Sequence, residues 1–181
     1  MSSPPEFFVR SEECIPCPCC QGQLVVCGSR RRRYTQSNGD QLTLIIRRLR
    51  CTECHRIHHE LPDILVPYKR YDRESIEQII TESSPSVGAD ESTIRRVRQW
   101  FETWSSYATG CLVAIANRHG RVLEPSYPTQ SSLHRIGHLV GDAVGWMARA
   151  VRPIANLHLW THTRSAFVSA SSLSTIQANP T

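Results

Sequence analysis

The sequence predicts an α+β protein in which a small β-hairpin unit precedes a mainly α-helical, helix-turn-helix-like region. Three observations predict it. Two Cys-x-x-Cys pairs, Cys17/Cys20 and Cys51/Cys54, bracket a segment with strand-like composition around an Asn-Gly centre. Apolar residues recur at helical spacing behind Asp72 and Asp90, two residues of the type that open helices. Acidic residues thin out beyond Trp104, leaving Glu124 and Asp142 in a stretch with a second helical pattern.

At 181 residues the chain suffices for one domain with a modest core or two small ones, and two small units are expected. Residues 1–13 are polar, contain Pro4 and Pro5, and read as a flexible tail. Residues 14–70 follow as the cysteine unit with a crossing segment. Leu24–Gln36 and Gln41–Arg50 are its two strands. A two-residue turn at Asn38-Gly39 sets Arg33 opposite Leu44 and Arg30 opposite Arg47, so basic side chains emerge on both faces. A two-stranded sheet cannot bury both faces, which leaves at least one arginine face to solvent or to a polyanion.

The run His55–Tyr71, with Pro62 and Pro67 and no period, reads as irregular. Residues 71–104 form the helix-turn-helix-like part. Asp72 caps a helix over Arg73–Thr81, with Tyr71 and Ile76 as its hydrophobic staple. Asp90 caps a second helix to about Trp104, with Ile94, Val97, Phe101 and Trp104 inward and Arg95, Arg96, Arg98 and Gln99 on or beside the outer face. Residues 105–170 are expected to be helical. Tyr107–Asn117 reads as a separate short helix ending near Gly120, Pro125 and Pro128 mark a loop, and one helix runs from Ser131 to about Val151 until Pro153 stops it. Residues 171–181 read as a disordered tail.

Four thiolates from Cys17, Cys20, Cys51 and Cys54, brought together at the base of the hairpin, suit one structural Zn2+ ion held tetrahedrally. Cys14 and Cys19 are alternate thiols beside this set, and His58 and His59 are alternate ligands after Cys54. Small residues in Cys-Pro-x-Cys-x-Gly let backbone N–H groups turn toward the sulfurs. A closed four-sulfur shell has no open position for water, so it braces a fold and performs no hydrolysis. His134, His138 and Asp142 lie four apart, a spacing compatible with a second metal. The neighbouring Gly137, Gly141 and Gly145 read instead as close helix packing.

The net charge is +5, but residues 30–56 hold eight arginines against Asp40 and Glu53. Arg30, Arg31, Arg32, Arg33, Arg47, Arg48, Arg50, Lys69 and Arg70 are expected to hold DNA phosphates, and Arg95, Arg96 and Gln99 to approach base edges. No Gly-rich phosphate loop, Gly-x-Ser-x-Gly elbow or His-Glu-x-x-His motif is present, and the aspartates are scattered, so the protein is expected not to be an enzyme. No stretch has the length of a membrane span and the start does not resemble a signal peptide. A cytoplasmic protein is expected, with no membrane or small-molecule partner, and with the glycine-spaced C-terminal helix available to a protein partner or a second copy.

The segments CPCCQG, IRRLRCTECHRIHHELPDILVPYKRY, GADESTIRRVRQWF, RIGHLVGDAVGWMARAVRP and NLHLWTHTRSAF, spread over most of residues 14–170, resemble a family of uncharacterised bacterial proteins, a domain of unknown function. That resemblance implies a cysteine zinc ribbon joined to a helical C-terminal part and an association with mobile elements. The pattern RR-x-R-C-x-x-C is also similar to the N-terminal zinc modules of insertion-sequence transposases, which implies a role in binding DNA, without their catalytic core.

Overall fold

The computed structural model describes residues 6–9, 11, 13–121 and 130–160, together with the backbone of residues 165–168. Its order is β1 (Glu6–Phe8), β2 (Leu24–Thr35), β3 (Gln41–Cys51), β4 (Ile57–Pro62), α1 (Arg73–Thr81), α2 (Glu91–Arg118), α3 (Ser132–Val140), α4 (Trp146–Asn156) and β5 (Ser165–Val168). The mixed α+β class holds. The expected tail beyond residue 170 and the proline loop at 125–128 lie outside the described residues.

β3 is the middle of the sheet. It pairs antiparallel with β2 along one edge, and on its other edge it takes β1 in parallel near Leu44 and β4 antiparallel near Leu49. β4 in turn pairs in parallel with β5. Three expectations change here. Part of the N-terminal tail is a sheet strand, with Val9 donating to the Ile45 carbonyl at 3.2 Å and buried. The segment after Cys54 contains β4, whose Pro62 is tolerated because it stands at the strand's end. The C-terminal region is not wholly helical, because it returns a strand to the sheet.

The hairpin forms with a different turn. Gly39 N–H donates to the Gln36 carbonyl and Gln36 N–H to that of Asp40, both at 2.9 Å, with Gly39 at φ +89°. This is a three-residue connection closed by a left-handed glycine. Arg33 therefore faces Thr43 and Arg30 faces Ile46, one residue away from the expected register. The hairpin tip also docks: Gly88 N–H donates to the Ser37 carbonyl at 2.6 Å, and a Cβ on Gly88 would lie 2.8 Å from the Gly39 backbone. Only glycine fits that approach.

Both predicted caps are present. Asp72 accepts from the Ser75 N–H at 2.9 Å and Asp90 from the Thr93 N–H at 2.6 Å. α2, however, continues unbroken for 28 residues through the two predicted helices, because nothing between Trp104 and Tyr107 stops it: Ser105 and Ser106 can remain helical, and Ser105 satisfies its hydroxyl on the Glu102 carbonyl. The helix predicted from Ser131 to Val151 is two. Gly141 and Gly145 adopt φ +79° and +87° and turn the chain between α3 and α4, so the glycine repeat serves a corner and not a packing seam. Pro153 sits inside α4, eight residues into it, and does not end it.

Polar groups fasten these elements where burial alone would leave backbone groups unpaired. The buried Glu77 carboxylate on α1 accepts from the Gly145 and Met147 N–H groups at 3.0 and 2.8 Å, capping an α4 that has no side-chain cap of its own. Arg98, expected on or beside the outer face of α2, reaches the Ile79, Glu82 and Ser83 carbonyls at the end of α1. Arg149 binds the Val140, Gly141, Ala143 and Val144 carbonyls across the α3–α4 corner.

One hydrophobic core joins sheet and helices, running from Tyr34, Leu44 and Ile46 through Leu61 and Ile76 to Phe101, Met147 and Ile154. The expected pair of small units thus shares a single core.

Candidate metal centre and arginine groove

The metal centre is built by two turns. In the first, Gln21 N–H donates to the Cys17 carbonyl and Cys17 N–H to that of Gly22, both at 2.8 Å, with Gln21 at φ +65°. In the second, Cys51 N–H donates to the Arg56 carbonyl at 3.0 Å and His55 takes φ +58°. Thr52 N–H donates to the Gln23 carbonyl at 3.0 Å and binds one turn to the other. Gly22 sits where they meet: a Cβ there would fall 2.5 Å from the Glu53 side chain and 3.0 Å from the Cys51 sulfur.

These turns bring the Sγ atoms of Cys17, Cys20, Cys51 and Cys54 within 4.8 Å of one another. Cys17 and Cys54 are 3.7 Å apart and Cys20 and Cys51 3.5 Å. A tetrahedron of sulfurs at zinc–thiolate bond length has edges of about 3.8 Å, so the four thiols fit one metal ion of that size and preference. Burial opposes ionisation of Cys51, but amide donors at Cys54 and Glu53 and the neighbouring Cys20 and Cys54 thiols outweigh it and bring the thiol down to about 7. Burial raises Cys17. Hydrogen bonding thus favours the thiolate at Cys51.

The alternates separate. His58 is buried and its Nε2 lies 3.3 Å from the Cys17 sulfur, and Cys19 joins those two in a second donor group within the same 4.8 Å limit. Cys14, exposed, and His59, half-buried, enter neither donor group. His134, His138 and Asp142 are exposed and form no donor group either: α3 ends at Val140, and the turn at Gly141 takes Asp142 off the histidine face.

The predicted DNA residues divide as well. Arg30, Arg31, Arg32, Arg33 and Arg70 line one groove of about 500 Å³ with Tyr34, Thr35 and Gln41. Arg31 pairs with Glu6 at 2.7 Å, and Arg32 donates to the Lys69 carbonyl at 2.7 Å. Burial, with Arg30 beside it, pushes the Arg32 guanidinium below its ordinary value, a sign of a crowded cation. Arg47 turns inward: its fork binds the fully buried Glu60 at 2.6 and 3.0 Å, and it also donates to the Ser11 carbonyl. Arg48 is half-buried and Arg50 exposed at the other end of β3. Lys69 stands 3.7 Å over the Trp100 ring. Arg95 and Gln99 are exposed on α2, while Arg96 folds back onto Ser92 and Thr93.

Sequence reasoning missed Glu60 as the ion-pair partner of Arg47. The strand alternation of β4 would have revealed it, had the prolines not argued against a strand. The α1–α4 cap by Glu77 left no local signal, because it joins residues 68 positions apart.

Fold and centre together define a class: an α+β protein whose sheet ends in a four-cysteine site able to hold a metal ion. Within it, a family model described as a domain of unknown function, DUF6431, matches residues 17–97, from the first of the four cysteines into α2. No curated protein and no solved structure matches the chain. Among the described residues no helix is long and apolar enough to cross a membrane.

Proposed function

We propose that the ion is Zn2+ and that the protein is a non-catalytic DNA-binding accessory or regulator, serving transposition or another mobile-element process as its sequence resemblance suggests. The observation that carries this reading is the arginine groove. Five arginines, Arg30 to Arg33 and Arg70, line one groove along β2, only Arg31 of them has a carboxylate partner among the described residues, and a polyanion relieves such a concentration of charge. The zinc assignment rests on the sulfur spacing and the all-thiol donor set. The non-catalytic reading is supported by the buried carboxylates: Glu60 is committed to Arg47 and Glu77 to the start of α4.

In this reading Arg30, Arg33 and Arg70 make the principal phosphate contacts, with Arg32, Arg48 and Arg50 around them. The α1–α2 pair acts as the helix-turn-helix-like element, and Arg95 and Gln99 on the exposed start of α2 approach base edges. The docking of Gly39 on Gly88 holds hairpin and α2 entry in one register, so both address a single duplex. Arg47 belongs to the fold and not to the phosphate set.

The test is duplex binding by the zinc-loaded protein across a salt series. Three phosphate contacts give a slope of log K against log salt of about −3, and the Arg30→Ser/Arg33→Ser double variant should flatten it by about two. Binding that is absent at low salt, or indifferent to salt, overturns the proposal.

A further inference from the structure

The four-thiol site does not exhaust the donors at this end of the molecule. Cys17, Cys19 and His58 form a second group whose ligand atoms lie within 4.8 Å of one another, and it shares Cys17 with the first. His58 comes from β4, is 1% exposed, and aims Nε2 at the Cys17 sulfur from 3.3 Å. Cys19 lies in the same turn as Cys17 and is half-buried. A lone histidine beside a thiol is ordinarily a hydrogen-bond donor to it. A further thiol completing a triangle with that pair is what a donor alone does not require.

We propose that this end of the protein holds a second, weaker Zn2+ ion, bound by Cys19 and His58 and bridged to the first through the Cys17 sulfur, with a coordination position left open. The charges favour it. One dication among four thiolates leaves the first centre with two surplus negative charges. A thiolate keeps lone pairs after binding one metal and can bridge to another. Two thiolates and an imidazole form a donor set suited to zinc. Adding the second ion and the Cys19 thiolate leaves a net charge of minus one over the pair.

What opposes the second ion is Arg56. Its Nη1 donates to the Cys19 sulfur at 3.3 Å. Arg56 is exposed, and its guanidinium already supplies part of the compensation the second ion would bring. The two compete for Cys19, and the second ion binds only after the first site is full.

The experiment is metal stoichiometry of the full chain, by native mass spectrometry and by Co2+ titration followed through the thiolate charge-transfer band. The wild-type protein should take up one equivalent tightly and a second at higher metal concentration. Cys19→Ser, at a half-buried position, should keep the first and lose the second. His58→Gln should do the same, with Cys19→Ser deciding if the buried substitution unfolds the chain. Arg56→Ala should tighten the second equivalent about tenfold while leaving the first unchanged, an effect that a purely structural Cys19 or His58 would not produce. Saturation at one equivalent, or two equivalents retained in Cys19→Ser, overturns the second site and leaves the four-thiol centre standing. A chain that binds no metal removes both.

Discussion

The cysteine end and the helical end of this protein meet the cost of ordering a chain by different means. From Val25 to Arg31 every residue of β2 is exposed, Val25 and Val26 among them. That stretch buries too little apolar surface to offset its own backbone entropy. Around α2 and α4 the reverse holds: Phe101 is 2% exposed, with the Trp146 ring edge-on at 5.5 Å and Trp104 tilted beside it, and Ile136, Met147 and Ile154 are fully enclosed. In the proposed reading, bonds to an ion fold one end and excluded water folds the other. β3 belongs to both, since Leu44 and Ile46 enter the helical core while Cys51 lends its sulfur to the metal centre.

The largest effect that separates the two regions is metal removal. With zinc as the proposed ion, metal binding contributes on the order of 10 kcal/mol or more, so chelation, or Cys51→Ser, should abolish amide protection in the two cysteine turns and the adjoining ends of β2 and β3. The helices should keep theirs, because their core contains no ligand. Hydrogen exchange followed by mass spectrometry reads both at once. Simultaneous loss at both ends would show that β3 transmits the collapse and that the division is false.

Phe101→Ala makes the opposite cut. It removes a buried aromatic side chain from the core and should cost about 3–5 kcal/mol, measured by urea unfolding of the metal-loaded protein. Metal affinity should be almost unchanged. Glu60→Ala comes next, at about 2 kcal/mol, because it removes the fully buried carboxylate that holds the Arg47 fork by two bonds, while the guanidinium, 31% exposed, recovers part of the loss from water. Its site lies on β3 and β4 between the two regions, so it should weaken both metal retention and thermal stability.

How much of this was legible in the sequence follows from the range of each interaction. The cysteine pairs, the Asp72 and Asp90 caps and the inward faces of Ile76, Val97 and Phe101 were readable, because each signal lies within a few residues of its effect. The hairpin was readable as a hairpin and misread in register, since Asn38-Gly39 serves two- and three-residue turns alike. Gly141 and Gly145 read in sequence as a packing repeat because spacing alone does not reveal φ. The pairing of Arg47 with Glu60 and the capping of α4 by Glu77 depend on partners brought together only by the folded chain. Those are the contacts that removed Arg47 from the surface set and made one core of two expected units.

The smallest effect tests the junction itself. Lys69 lies near the end of the crossing segment and over Trp100 of α2, and burial brings its ammonium down to about 8. In the unfolded chain it titrates near 10.4. Between those values the unfolded state binds the extra proton, so stability rises as pH increases from about 8 toward 10, and below 8 the buried charge opposes folding. The ring's attraction for the cation offsets part of that penalty. Lys69→Met should therefore flatten the pH dependence of unfolding in this window and slightly stabilise the protein at pH 7. If Lys69 serves as a phosphate contact, the bound polyanion must raise its pKa, and a lysine side-chain NMR titration with and without duplex DNA should show the midpoint move upward. A midpoint that stays near 8 in the complex would place Lys69 with Arg47, among the cations that hold the fold and not the ligand.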